Sequence, residues 1–202
     1  MKINFKFFLF IAIFSSMLVQ CKKDDEILSD ATNDTTIVID ASSKTAWKYF
    51  SFEKGDTVAV SDPATSLNWD IAFKREQIKT NGGKNGSGQA AVFNSKLNGQ
   101  AGFDALKLVP DTSVFVQDDS TLTSDNKGGT NLQVLNSVLN LWTYAWYNYS
   151  QSKLSSKNDI YIVKTASGKF AKLWIQSYYK NVTSGYYTIK YGYQKDGSRN
   201  LK

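Results

Sequence analysis

The C-terminal sequence YIVKTASGKFAKLWIQSYYKNVTSGYYTIKYGYQ, residues 161–194, predicts a meander of three antiparallel strands. Three segments are rich in alternating aromatic and β-branched residues, as strands are: residues 161–165, 170–179 and 186–194. The connections at residues 166–169 and 183–185 contain Ser and Gly, which favour turns. In the last segment one face carries four large side chains: Tyr187, Ile189, Tyr191 and Tyr193.

The N-terminal half of the chain has the same strand-like pattern. Four more segments alternate in this way: residues 36–40, 46–53, 57–60 and 68–74. Lys54-Gly55-Asp56 separates two of them and predicts a hairpin. Residues 68–74 place Trp69, Ile71 and Phe73 on one face, which predicts a half-buried sheet. We therefore expect a mostly β fold, with a single antiparallel β domain over residues 36–202 and one or two short helices.

The middle of the chain contains the clearest helical spacing. Five apolar residues follow a capping candidate in residues 128–131: Leu132, Leu135, Leu139, Trp142 and Trp146. This stripe predicts a helix that packs on the sheet. The sequence does not define where this helix ends, because the aromatic run at residues 142–147 fits an extended strand equally well. The preceding residues 106–130 are polar and irregular, with one expected strand at residues 112–117.

A glycine-rich loop, NGGKNGSG, occupies residues 81–88. It lacks the Gly-Lys-Ser/Thr ending of a phosphate-binding P-loop, and no helical pattern follows it. Phosphate binding is therefore not expected here. Two interpretations remain: a wide, mobile loop, or a loop whose glycines allow the backbone to pack closely.

The N-terminus has the features of a secretory signal peptide. Lys2 and Lys6 precede an apolar run that is shorter than a membrane-spanning helix, and Cys21 follows it directly. We expect residues 1–20 to be a signal peptide and Cys21, the only cysteine, to be the lipidated residue of a bacterial lipoprotein. Residues 21–35 then form a lipidated flexible tether. Its charged start, KKDDE, resembles a surface-export signal, although a solvated spacer is the alternative.

Missing residue types exclude several functions. The chain has no histidine, and both methionines, Met1 and Met17, lie in the predicted signal peptide. This composition excludes hydrolysis by a serine–histidine pair and metal sites made of histidine. The usual axial ligands of haem are also missing, and we expect no enzyme. Without residues 1–20, which hold two lysines and no acid, the net charge falls from +6 to +4. These charges are scattered, so no nucleic-acid partner is expected.

Aromatic residues are the candidates for ligand contact. One group lies in the middle of the chain: Tyr144, Trp146, Tyr147 and Tyr149. A second group lies in the meander: Tyr178, Tyr179, Tyr186 and Tyr187. Tyrosines offer large rigid surfaces with a polar tip, which suit flat ligands or glycans. The alternative role is packing in the core and on the sheet face. Glu53 and Asp70 are the candidate buried acids, with lysine or backbone partners expected.

Several sequence patches together resemble one known family. They are WKYFSFEKG at residues 47–55, WDIAFKR at 69–75, IKTNGG at 78–83, YIVKT at 161–165, GKFAK at 168–172 and SYY at 177–179. This combination is similar to the HmuY family of haem-carrier lipoproteins, over residues 46–194. The resemblance implies a β fold, a pocket for haem, and delivery to a TonB-dependent outer-membrane receptor. It also implies a surface-exposed protein, lipid-anchored to the outer membrane.

The family's iron ligands, commonly His or Met, are not present. One of them lies shortly before the YIVKT strand, which corresponds to a position near Ser152 and Lys153. The candidate haem-contacting residues are therefore the following: Tyr144, Tyr147, Tyr149 and Lys153. Three outcomes are open. Tyrosine or lysine could ligate haem, haem or another porphyrin could bind by stacking alone, or the scaffold could serve a non-haem ligand, a protein partner or adhesion.

Overall fold

The computed structural model describes residues 34–124, 130–140 and 145–202, and antiparallel strands dominate it. The strands are β1 (Thr35–Asp40), β2 (Lys48–Ser51), β3 (Asp56–Val58), β4 (Ile71–Lys74), β5 (Gln77–Thr80), β6 (Ala91–Asn98), β7 (Asp119–Ser124), β8 (Thr130–Leu135), β9 (Tyr147–Ser150), β10 (Lys153–Ser156), β11 (Asp159–Lys164), β12 (Phe170–Lys180) and β13 (Thr183–Gln194). The described helices are α1 (Gly99–Ala105), α2 (Ser137–Asn140) and a 3-10 turn at Gly83–Asn85. The predicted mostly β fold is confirmed. The predicted signal peptide and Cys21 lie outside the described residues.

Two sheets and two separate hairpins make up the described part of the domain. The large sheet has the order β1-β13-β12-β11-β6, and the small sheet has the order β3-β2-β4-β5. The hairpins are β7–β8 and β9–β10. The C-terminal meander is confirmed, because β11, β12 and β13 are consecutive antiparallel neighbours in the large sheet. The predicted first strand and the hairpin of β2 with β3 are also confirmed.

The main core combines side chains of the two sheets. Tyr187 and Ile189 of β13 are fully buried, and Tyr191 and Tyr193 are nearly so, as their shared face predicts. They belong to one apolar cluster with small-sheet residues such as Phe73. Burial of large aromatic side chains stabilises such a core by roughly 1.5–3 kcal/mol each.

Strand β4 is buried on both faces, so the expected half-buried sheet is wrong at this point. Ile71, Ala72 and Phe73 are all fully buried. The outer face is covered because Lys79, on neighbouring β5, lies over aromatic rings on that side, with its Nζ 5.2 Å from the Tyr49 ring centroid. Ala72 lies between Tyr49 and Lys79 in the strand register, and its small side chain leaves room for this contact.

The predicted helix over residues 132–146 is wrong in its first part. Residues Thr130–Leu135 form β8, which pairs with β7 from Asp119↔Leu135 to Ser124↔Thr130. In the described part of this stretch, which excludes residues 141–144, only the four residues of α2 are helical. Pairing with β7 satisfies the backbone without a helix, and this tertiary contact outweighs the helical spacing of the leucines. Trp142 lies outside the described residues.

Two further local expectations differ from the structure. Residues 112–117 form no strand, and only Val116 pairs, in an isolated bridge with Val92. The helix α1 was not expected, because Gly99 and Gly102 are poor helix formers. Gly102 packs closely there, since a Cβ atom at this position would lie 3.0 Å from Leu97 Cβ.

The glycine-rich loop packs closely against its neighbours, which favours the second of the two interpretations. A Cβ atom on Gly82 would lie 2.1 Å from the Ala90 carbonyl oxygen, and one on Gly86 would lie 2.0 Å from Asn81 Oδ1. Both distances are shorter than any real contact, so these positions require glycine. The Asn81 amide also donates to the Ser66 and Trp69 carbonyls, both at 2.8 Å.

Within the part of the chain that the structure describes, no helix has the length and apolar character needed to cross a bilayer.

Candidate ligand-binding site

Three of the four predicted contact residues lie on one hairpin, β9–β10. Tyr147 and Tyr149 are on β9, Lys153 is on β10, and Tyr144 lies outside the described residues. The two residues of the turn, Gln151 and Ser152, have φ angles of 49° and 61°. Positive φ at both central positions is the geometry of a type I′ turn, which joins two strands tightly. This left-handed conformation costs a non-glycine residue roughly 1–2 kcal/mol in conformational free energy.

The register of this hairpin divides the predicted residues between its faces. Tyr149 is directly opposite Leu154, and Tyr147 is opposite Ser156, so these four side chains share one face. Lys153 is opposite Ser150 and lies on the other, exposed face. The structure therefore brings Tyr147 and Tyr149 together and places Lys153 away from them.

The inner face of the hairpin borders a groove against β12. This hairpin groove has a volume of about 340 Å³ and is lined by Leu154, Ser155, Ser156, Asn158, Gln176, Ser177, Tyr178 and Tyr179. That volume is near the lower end of the roughly 300–1,000 Å³ typical of ligand pockets. The groove exists because β12 is irregular between Ile175 and Tyr179, where its register with β13 shifts twice.

Side-chain hydrogen bonds hold the hairpin over the groove. The Leu154 backbone N–H donates to Tyr179 Oη at 3.0 Å, and the Ser156 hydroxyl donates to the Ile175 carbonyl oxygen. Both acceptors are on β12, so the hairpin is tied to the large sheet at two points. Tyr179 thus has a positioning role that its place in a tyrosine-rich sequence did not reveal.

An aromatic cluster forms the inner boundary of the site. The Trp146 ring lies 5.0 Å from Tyr147, 5.6 Å from Tyr178 and 5.2 Å from Tyr187, measured between centroids. Trp146 Nε1 donates to the Glu76 carbonyl oxygen at 3.0 Å. Trp146, Tyr178 and Tyr187 are buried in the main core, and Tyr178 also lines the hairpin groove.

The phenol groups around the groove differ in their surroundings. Burial raises the pKa of Tyr178 well above its ordinary value, and Glu76 adds to the effect. The Tyr178 hydroxyl is buried without a hydrogen-bond partner among the described residues. Burial, followed by Glu76, also raises the pKa of Tyr147. Tyr149, by contrast, is 59% exposed, so it is the phenol that can turn towards a bound molecule without leaving the core.

The described residues contain no group of three or more His, Cys, Asp or Glu side chains that could hold a metal ion. A porphyrin requires less from the protein, because its own nitrogens hold the iron. It needs an apolar or aromatic surface and, at most, one or two axial donors. Leu154 and Tyr179 line the groove and Tyr149 lies beside it, which fits a porphyrin held by contact and, at most, a tyrosine oxygen.

The fold and the groove together define a β-sheet binding domain. The family model described as HmuY protein matches residues 43–191, well over half of the chain. The chain belongs to the HmuY family, whose members are binding and carrier proteins. No curated protein is similar enough to count as a match.

Solved structures with the same fold come from several bacteria. A Bacteroides vulgatus protein described as HmuY-like and haem-binding is 25% identical, with 79% of this chain and 91% of that chain covered and a TM-score of 0.57. The apo form of the HmuY analogue of Tannerella forsythia is 17% identical, with coverages of 82% and 98% and a TM-score of 0.60. A Bacteroides fragilis protein described as a lipoprotein is 20% identical, with coverages of 81% and 92% and a TM-score of 0.57.

Proposed function

We propose that this chain is a surface lipoprotein that binds haem, or a related porphyrin, in the hairpin groove and delivers it for uptake. One observation carries the proposal: in a chain of the HmuY family, the hairpin with Tyr147 and Tyr149 borders a groove to which Tyr178 and Tyr179 contribute aromatic side chains. The similarity to an HmuY-like haem-binding protein supports it. Haem is cargo here, so the domain needs affinity for it but no chemistry on it.

The described residues have distinct roles in this proposal. Leu154 and Tyr179 would contact the porphyrin faces, because both line the groove. Tyr149 would reach the iron, because it is the exposed phenol on the inner face of the hairpin. Tyrosinate is a known axial ligand of ferric haem. Lys153 is on the opposite face, which favours Tyr149 over Lys153 as the iron donor.

The direction of the strands supports delivery away from the membrane. Asp34, near the end of the predicted tether, forms ion pairs with Lys172 at 3.3 Å and Lys190 at 4.0 Å. Strand β1 starts here, beside Tyr191, and ends beside Tyr186. The β12 residues that line the groove pair with the part of β13 around Tyr186, where β1 ends. With a rise of about 3.3 Å per residue, β1 separates the tether from the groove end by roughly 20 Å.

We expect Tyr149→Phe to weaken hemin binding about tenfold, which corresponds to about 1.4 kcal/mol, and to change the visible spectrum of the complex. The reason is the loss of the exposed phenol oxygen that, in the described part of the hairpin, is best placed to reach the iron. Titration of the purified variant with hemin, followed at the Soret band, measures both effects. Tyr186→Phe is the control, because Tyr186 lies on β13 outside the groove lining. An unchanged affinity and spectrum would remove Tyr149 as the ligand. Iron-free protoporphyrin should bind the wild type and the variant equally.

Cys21→Ala should release the protein from the membrane fraction, because lipidation requires the thiol and no other cysteine is present. Cell fractionation with metabolic labelling by a fatty acid measures the effect. Lys22→Ala, which leaves the cysteine in place, is the matched control. Retention of the Cys21→Ala chain in the membrane fraction would contradict the lipid anchor.

A non-haem ligand is the second candidate function. Five of the eight residues that line the hairpin groove are polar and uncharged: Ser155, Ser156, Asn158, Gln176 and Ser177. This lining also suits a ligand with many hydroxyl groups. Such a protein would show no Soret shift with hemin, which distinguishes it from the haem carrier.

A further inference from the structure

A second groove lies at the opposite end of the large sheet, where β1 begins. We call it the tether-end groove. It has a volume of about 240 Å³ and is lined by Thr35, Phe52, Glu53, Lys54, Gly55, Tyr191, Tyr193 and Lys195. None of these residues lines the hairpin groove. The two grooves are therefore separate sites.

The floor of the tether-end groove is aromatic and fixed. Tyr191 packs edge-on against Phe50 at 5.4 Å and Phe52 at 5.6 Å, between ring centroids. The turn after β2 closes over it at Gly55, which has a φ of 68°. A Cβ atom on Gly55 would lie 2.9 Å from Tyr191 Oη, so this turn can approach the ring only with glycine.

Charged and hydroxyl groups surround this floor, and the side chains of Thr35 and Tyr191 hydrogen-bond to each other. Lys54 and Lys195 form no ion pair within residues 34–124, 130–140 and 145–202, whereas Lys169 reaches Glu53 at 4.0 Å. Tyr193 lines the groove and is 7% exposed. Burial, with Glu53 and Asp70, raises the pKa of Tyr193 to about 12, so its phenol remains a donor at neutral pH.

We infer that the tether-end groove binds a single sugar ring that carries a carboxylate, such as a uronic acid. Lys54 and Lys195 would pair with the acid group. Tyr193 would donate to ring oxygens, and Glu53 would accept from ring hydroxyls. The volume suits one ring. Two lysines without an ion pair among the described residues, together with a donor and an acceptor in one small groove, favour this ligand class over a neutral sugar or a simple anion.

Titration of the mature chain with glucuronate, glucose and inorganic phosphate, followed by NMR of the tyrosine ring signals, tests this inference. Glucuronate should give saturable shifts at Tyr191 and Tyr193. Glucose should bind at least about tenfold more weakly, because it lacks the charge-assisted contact. Absence of saturable shifts with glucuronate would overturn the inference. Phosphate binding as tight as glucuronate would overturn it too, because it would indicate a simple anion site.

Lys54→Gln/Lys195→Gln should weaken glucuronate binding at least about tenfold. Lys44→Gln/Lys107→Gln, at exposed positions outside the groove, is the matched control. Tyr193→Phe removes only a hydroxyl group and should weaken binding by a smaller factor while preserving the fold. Unchanged affinity in the Lys54/Lys195 variant would contradict the assignment. The Lys54/Lys195 variant should bind hemin with the affinity of the wild type. A failure of the sugar-binding inference can therefore be distinguished from a failure of the haem proposal.

Discussion

Replacing Asp118 by alanine should lower the free energy of unfolding by about 4 kcal/mol, the largest stability effect that we expect from a single polar substitution. The Asp118 carboxylate is buried and accepts four hydrogen bonds. Thr80 donates its backbone N–H at 2.7 Å and its hydroxyl at 2.6 Å, Asn85 donates at 2.8 Å, and Asn136 donates at 3.0 Å. The donors belong to β5, the glycine-rich loop and the residue after β8, so this one side chain joins three segments.

Truncation would leave these buried donors without an acceptor, and each unpaired donor is costly. Burial raises the pKa of Asp118, while the hydrogen bonds from Thr80 act in the opposite direction. Urea unfolding followed by tryptophan fluorescence measures the change. The neighbouring exposed Asp119, replaced by alanine, should leave the unfolding midpoint nearly unchanged. Equal midpoints for both variants would contradict the role of Asp118.

Ser177→Trp should reduce hemin affinity at least about tenfold and give the largest loss of binding. Ser177 lines the hairpin groove, and an indole ring at this position would occupy space that a porphyrin needs. The serine hydroxyl bonds only within its own strand, to the Tyr179 backbone at 3.2–3.3 Å. The fold should therefore survive the change. Isothermal titration with hemin measures the affinity.

Two controls separate obstruction of the groove from other causes. Ser177→Ala removes the hydroxyl group without filling the groove and should bind hemin like the wild type. Ser61→Trp adds the same ring at an exposed position after β3 and should also have no effect. Normal binding by Ser177→Trp would show that the ligand does not enter this groove.

Strands β1, β11, β12 and β13 of the large sheet could be predicted from their alternating aromatic and β-branched residues, whereas β6 was not predicted. Alternation of this kind is visible in β13, where every second side chain from Tyr187 to Tyr193 lies in the core. Strand β8 could not be predicted in the same way. Its leucines also fit a helix, and the pairing with β7 that decides between the two depends on distant contacts.

The hairpin that carries the site had no clear signal in the sequence. A type I′ turn is normally indicated by Asn-Gly, and here it is formed by Gln151-Ser152. The tyrosines at residues 147 and 149 were predicted through family resemblance and aromatic content. The groove itself depends on the irregular stretch of β12 between Ile175 and Tyr179, which alternation alone does not reveal. The separation of Lys153 from Tyr149 likewise follows from the register and not from their spacing.

Hemin titration of the wild-type chain without residues 1–21, followed at the Soret band and by thermal unfolding, tests the central claim most directly. Saturable one-to-one binding, a shifted Soret band and a raised unfolding temperature are expected, because a ligand bound only by the folded state stabilises it. A Soret band identical to that of free hemin, together with an unchanged unfolding temperature, would contradict haem binding by this protein.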